Sequence, residues 1–132
     1  MSEENVELVR GLYRLGDPSR FFDRFDDEIE LDFSASPLPD FPTYTHGKDA
    51  AIDFYRHYWV MWDEYVLELR EATAVNSDRV LVVQHERARG KGSGVPFERV
   101  WAVIYTLRAG KMVRLAFFSD PSEALEATGL RE

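Results

Sequence analysis

The chain has 132 residues, 45% of them hydrophobic and 14% aromatic, which is enough apolar surface for one folded domain and excludes a disordered chain. Its formal net charge of −8 sets the overall field against phosphate backbones and anionic membrane surfaces, and no Lys/Arg block offsets it. With no cysteine, disulfides, thiol nucleophiles and thiolate metal sites are excluded, and a reducing compartment fits.

The opening M-S-E-E-N is acidic and polar, unlike a signal peptide, and no apolar run approaches the ~18–20 residues of a membrane span. The expectation is a cytoplasmic protein forming one domain over residues 1–132. Ser2 is expected to cap a first helix with Glu3 and Glu4 in its first turn, Val6, Val9, Leu12 and Tyr13 as its apolar stripe, and Gly16 at its end. Asp17-Pro18 reads as a fresh cap with proline at the first helical position, opening a short helix that carries Phe21, Phe22 and Phe25. Glu28 to Ser34 alternates, with Ile29, Leu31 and Phe33 on one side, as an edge strand half-buried in a sheet does.

Pro37, Pro39 and Pro42 interrupt the next stretch, which is expected to be a loop at the mouth of a pocket. After Gly47, a strong amphipathic pattern places Ala51, Ile52, Tyr55, Tyr58, Trp59 and Trp62 on one helical face. Val66 to Val75 and Arg79 to Arg89 read as strands joined by the turn Asn76-Ser77-Asp78. The glycine-rich run Gly90 to Gly94 leads from strand to strand, whereas a phosphate-cradling loop needs a helix after it.

Arg99 to Asp120 reads as a long β-hairpin closed by Ala109-Gly110, the glycine supplying the positive φ of a two-residue turn. Regular pairing from Arg108 opposite Lys111 would set Tyr105 against Arg114, Val103 against Ala116, Trp101 against Phe118 and Arg99 against Asp120 on one face. Val100, Ala102, Ile104, Val113, Leu115 and Phe117 would form the other, a face apolar enough to predict a homodimer packing sheet on sheet. A short helix from Pro121, capped by Asp120 or Ser119, ends the pattern. Helices first and consecutive antiparallel strands after predict an α+β fold with a curved sheet.

N-V-E-L-V-R-G-L-Y near the start, H-G-K-D-A-A-I-D-F-Y after the proline-rich loop, G-K-G-S-G-V, A-G-K-M-V-R and the tail D-P-S-E-A-L-E-A-T-G-L together resemble the SnoaL-like branch of the nuclear-transport-factor-2-like superfamily. The resemblance implies a cone: a curved, mixed antiparallel sheet with three N-terminal helices on its concave face and a small-molecule pocket between them. The fold hosts isomerases, cyclases, epoxide hydrolases and non-catalytic binding modules. It also implies that Asp120 occupies the place of the acid–base carboxylate of the family's polyketide cyclases. The histidine those cyclases also use is not placed on this chain, since Val103 and Ile104 stand in that part of the strand.

Asp120 is therefore a candidate general base, with a plain helix cap as the alternative. A register that sets Glu86 opposite Arg99 would align Glu86, Arg99 and Asp120 in a carboxylate–guanidinium–carboxylate row, resembling the acid–Arg–base arrangement of the family's epoxide hydrolases; a one-residue slip would instead turn His85 and Arg87 inward. A surface ion pair is the alternative for that row. Tyr13, Tyr55, Tyr58 and Tyr105 are either donors to a developing oxyanion or core residues with wet hydroxyls. Candidate ligand contacts are Tyr13, Phe33, Tyr55, Trp59, Trp62, Trp101, Val103, Tyr105, Arg114 and Phe118. His46, His57 and His85 lack the spacing of a metal site, and no cofactor is expected. Two functions stay open: a cofactor-independent acid–base enzyme on a small apolar or polycyclic ligand, or a binding or dimerisation module whose pocket is filled by its own aromatics.

Overall fold

The computed structural model describes residues 2–129, with side chains from Glu3 onward. Helix α1 runs Ser2–Leu12, a 3₁₀ helix Pro18–Arg24, and strand β1 Phe25–Asp32. Strand β2 (Tyr44–His46) precedes helix α2 (Lys48–Trp59), and β3 (Trp62–Ala74), β4 (Arg79–Gly90), β5 (Pro96–Arg108) and β6 (Lys111–Phe118) follow. Helix α3 (Pro121–Thr128) closes the described chain. The six strands form one sheet in the order β2-β1-β6-β5-β4-β3, antiparallel except for β1 beside β6. This is the α+β arrangement expected, with α1, the 3₁₀ helix and α2 over one sheet face.

Local chemistry accounts for most boundaries. Asp17 caps the 3₁₀ helix by accepting from the Ser19 amide, with Pro18 at its first position. That helix ends before Phe25, which opens β1 and is buried. Helix α1 stops at Leu12, short of Gly16, because the amides of Tyr13 and Arg14 turn back to Arg10 and Gly11. The expected Ser2 cap lies outside the described side chains.

Three strand readings change. Strand β1 is not an edge, because the proline-rich loop returns as β2 and pairs Tyr44 with Asp32. Helix α2 ends at Trp59, so Trp62 starts β3 and leaves the helical face it was expected to share. The largest change is in the β5–β6 hairpin. Arg108 faces Lys111 as counted, but the ladder shifts between Thr106 and Leu107, leaving Val113 as an extra residue. Beyond it Tyr105 opposes Leu115 and Val103 opposes Phe117, while Arg114 faces Thr106 and Phe118 faces Ala102. Every β6 side chain after the bulge is therefore on the face opposite to the one expected.

The two faces have different cores. Inside, Val9, Phe22, Ile29, Leu31, Phe54 and Met112 join the inward residues of β4 to β6 in the main cluster. Outside, α3 lays Ala124 and Leu125 on Leu81, Ala102, Ile104 and Phe118. The helix thus covers part of the outer face that was expected to be left for a partner.

The hairpin turn has φ of 52° at Ala109 and 77° at Gly110, so both central residues are left-handed as in a type I′ turn. Glycine adopts that conformation freely and alanine does not. Ala109→Asn should raise stability by roughly 1 kcal/mol, because asparagine tolerates the left-handed region. Urea unfolding of the two proteins measures it, and an unchanged midpoint would mean that Ala109 carries no strain.

Candidate functional site

Between the helices and the inner face of β3 to β6 lies a cavity of about 390 Å³. Helix α2 contributes Tyr55, Tyr58 and Trp59, and the sheet contributes Trp101, Tyr105 and Phe117. Leu38 reaches it from the proline-rich loop, as expected of a segment at the pocket mouth. The volume falls in the range of small-molecule sites, so the protein's own aromatics do not fill the cone. The rings are held by one another: Phe33 stacks on Phe117 at 4.1 Å between centroids, and on Phe54 at 4.8 Å. Such pairs add about 0.5–1.5 kcal/mol each beyond area burial, which makes the wall stiff.

Two polar clusters interrupt the apolar lining. In the first, the Tyr13 hydroxyl donates to Gln84 Oε1 at 2.6 Å and lies 2.8 Å from the Tyr105 hydroxyl. Burial, and then the neighbouring Tyr105, push the Tyr13 phenol well above its usual pKa; burial does the same to Tyr105. Both remain protonated in neutral solution, so they act as neutral hydrogen-bonding groups.

The second cluster centres on Glu86, whose residue is fully buried. Arg99 Nε donates to Glu86 Oε1 at 2.9 Å. The Tyr58 hydroxyl donates to Oε2 at 2.9 Å, and the Tyr65 hydroxyl donates to the same oxygen. The Arg99 guanidinium lies 3.5 Å from the centroid of the Trp101 ring. Burial first, and then the Glu86 charge, raise both phenols far above their ordinary pKa. Tyr58 and Tyr65 line the cavity, whereas Glu86 and Arg99 stand behind them.

The β4–β5 register sets Glu86 opposite Arg99, as the sequence row required, and turns His85 to the other face. There His85 pairs with Glu98 and Glu68. The third member of the row is missing. Asp120 is exposed and caps α3, accepting from the Ser122 amide at 2.9 Å. The expected carboxylate on the cavity wall is absent there because the Val113 bulge changes which face each β6 residue takes.

Among the expected ligand contacts, Tyr13, Phe33, Tyr55, Trp59, Trp101 and Tyr105 line the cavity. Val103 is buried in the core beneath them. Arg114 is on the outer face, paired with Glu30 and Asp32. Phe118 packs under α3, and Trp62 stacks on Phe97 at 4.7 Å. Sequence reasoning missed Gln84 and Tyr65. Gln84 is a polar residue directly after the apolar run Val80 to Val83 and two positions from Glu86, a signal that could have found it. Tyr65 alternates with Leu67 and Leu69 on the inner face of β3, a period-two signal that could have found it. Among the described residues no cluster of His, Cys, Asp and Glu could hold a metal.

Removing Arg99 would leave a fully buried carboxylate with two phenols as its donors. Arg99→Met should cost about 3 kcal/mol, the low end for breaking a buried pair, because the phenols remain and the guanidinium is partly solvated. Glu86→Met combined with Arg99→Met should cost less than Arg99→Met alone. Chemical denaturation of the three proteins checks the order, and a double variant weaker than the single one would contradict it.

The sequence profile of the SnoaL-like domain matches residues 7–115. Among solved structures, a protein of ketosteroid isomerase-like fold from Catenulispora acidiphila, crystallised with trimethylamine, superposes with a TM-score of 0.70 at 15% identity over 99% of this chain and 96% of its own. An NTF2-like protein of Burkholderia pseudomallei gives 0.70 at 19% identity, covering 92% and 95%, and TerC, co-crystallised with polyporic acid, gives 0.68 at 18%, covering 95% and 98%. No curated protein matches the sequence. With that profile matching most of its length, the chain belongs to the SnoaL-like family, and it shares its fold with NTF2-like proteins.

Proposed function

We propose that this protein binds a small, largely apolar, aromatic or polycyclic ligand in the cavity between its helices and sheet. The observation that carries the reading is the open volume of about 390 Å³, walled by aromatic rings and interrupted by neutral hydrogen-bonding groups. TerC, of the same fold, crystallises with polyporic acid, which is in keeping with a ligand of this kind.

Acid–base catalysis is the second reading, and it rests on the contact of Tyr58 and Tyr65 with Glu86. Asp120 no longer supports it. A proton would have to pass between the ligand and Glu86 through one of these phenols, with Arg99 stabilising the carboxylate. The isomerase, cyclase and hydrolase classes share this requirement.

A thermal-shift screen with aromatic compounds tests the first reading, since a molecule bound only to the native state raises its melting temperature. Leu67→Trp, which fills the cavity from β3, should abolish the shift and leave the circular dichroism unchanged. Failure of every compound at saturation would overturn the binding reading. Product analysis on compounds that bind separates catalysis from binding: turnover that Glu86→Gln lowers by about 10²-fold or more supports acid–base chemistry, and absence of turnover leaves a binding protein.

The same fold suggests assembly through the outer face of β3 to β5. Val66 and Val100 are exposed there, among side chains of both signs including Glu68, Arg87 and Glu98. A patch with both charges is self-complementary about a two-fold axis, as an isologous dimer needs. Sedimentation at micromolar concentration should show twice the chain mass of 15.3 kDa. A monomer alone, or a dimer that survives Val100→Glu unchanged, would remove this interface.

A further inference from the structure

Gln84 sits on the sheet wall of the cavity, opposite Trp101 in the β4–β5 ladder, and is only 4% exposed. Its amide oxygen accepts from Tyr13. Tyr13 has one hydroxyl proton, and that bond uses it. The 2.8 Å contact between Tyr13 and Tyr105 therefore has Tyr105 as donor, and the chain of bonds runs one way, from Tyr105 to Tyr13 to Gln84.

Fixing the oxygen of a primary amide also fixes its nitrogen. Gln84 Nε2 has no protein hydrogen-bond partner among the described residues, and it is not one of the side-chain atoms sealed in the core without one. Its two N–H donors belong to a side chain of the cavity wall, where an unpaired donor is costly once water is displaced. Of the other fixed donors on the wall, Tyr58 and Tyr65 are turned to Glu86 and the Trp101 indole N–H is sealed in the core, so among the described residues Gln84 and the Trp59 indole on α2 are the ones left. The Tyr55 hydroxyl has no hydrogen bond among the described residues, but a hydroxyl rotates and serves as donor or acceptor alike. The amide nitrogen only donates.

No lining residue carries a charge, and Arg99, behind the wall, is engaged by Glu86. An anionic ligand would lose its hydration without a counter-charge. We infer that Gln84 is the specificity-determining residue of this cavity, donating to a neutral carbonyl oxygen, so that the ligands selected are uncharged aryl ketones, quinones or lactones rather than hydrocarbons or carboxylates. The inference rests on the cavity being a ligand site. Burial keeps Tyr13 and Tyr105 protonated, so the direction of the chain holds across neutral pH.

Three naphthalene probes test this: 2-acetylnaphthalene, 2-ethylnaphthalene, which replaces the carbonyl by a methylene, and 2-naphthoate. Titration by quenching of tryptophan fluorescence should give the ketone roughly three- to tenfold tighter binding than the hydrocarbon, the worth of one neutral hydrogen bond, and weaker binding of the naphthoate. Gln84→Leu should bring the ratio of ketone to hydrocarbon to one or below while the hydrocarbon still binds. Tyr13→Phe frees the amide to rotate and should reduce the same ratio, which keeps the test available if Gln84→Leu does not fold. Equal binding of ketone and hydrocarbon by the wild type, preference for naphthoate, or a ratio unchanged in the variants would overturn the role of Gln84 and leave the cavity reading standing. Failure of all three probes to bind, with no compound shifting the melting temperature, would overturn both.

Discussion

Val113 has no partner across the β5–β6 ladder, and the composition of the site depends on that extra residue. Side chains alternate along a strand, so one unpaired residue exchanges inside for outside along the rest of β6. Leu115 and Phe117 turn into the cone, and Phe117 becomes the stacking partner of Phe33. Arg114 turns out to meet Glu30 and Asp32 across the parallel pairing with β1. Phe118 goes under α3, and Asp120 is left to cap that helix in solvent. Without the bulge an arginine would be driven into an aromatic cavity with no carboxylate beside it, at the desolvation cost of an unpaired charge. The bulge is thus what makes an apolar pocket compatible with this strand.

Behind the pocket, the main polar feature is the Glu86 cluster. A buried ion pair is weak evidence for stability, since desolvation offsets much of its Coulombic attraction. Here the geometry reduces that cost. Arg99 and two phenols satisfy the carboxylate, and the guanidinium rests on Trp101, itself a cavity wall. The cluster therefore ties α2, β3, β4 and β5 together at one point, and it fixes three of the rings that face the ligand space.

Patterns with a local cause were legible in the sequence. Asp17-Pro18 and Asp120-Pro121 mark helix starts because the cap and the proline act within two or three residues. Alternation narrowed β4 and β5 to two registers, of which the one with Glu86 opposite Arg99 is formed, and the family resemblance supplied the cone. What failed was non-local. A bulge is an event between two strands, and nothing in M-V-R-L-A-F-F distinguishes a regular strand from one with Val113 unpaired. Trp62 continues the helical spacing of α2, yet the helix ends first because β3 begins. Gln84 was overlooked because Arg79 to Arg89 was read only as a strand, although a lone amide beside Val80 to Val83 has to find partners or a ligand.

The hydrogen-bond directions on the wall leave the cavity with a polarity of its own. Tyr58 and Tyr65 each use their single hydroxyl proton in a hydrogen bond to Glu86, and the Tyr58 oxygen also accepts from Arg99 Nη2, so neither phenol is a donor to the cavity. Gln84, two residues along the same strand face, offers only N–H groups once Tyr13 holds its oxygen. Gln84 and Glu86, two residues apart on β4, are separated by roughly 6–7 Å along the strand. The carboxylate behind the phenols fixes the direction of both hydroxyls by accepting their hydrogen bonds, without itself lining the cavity.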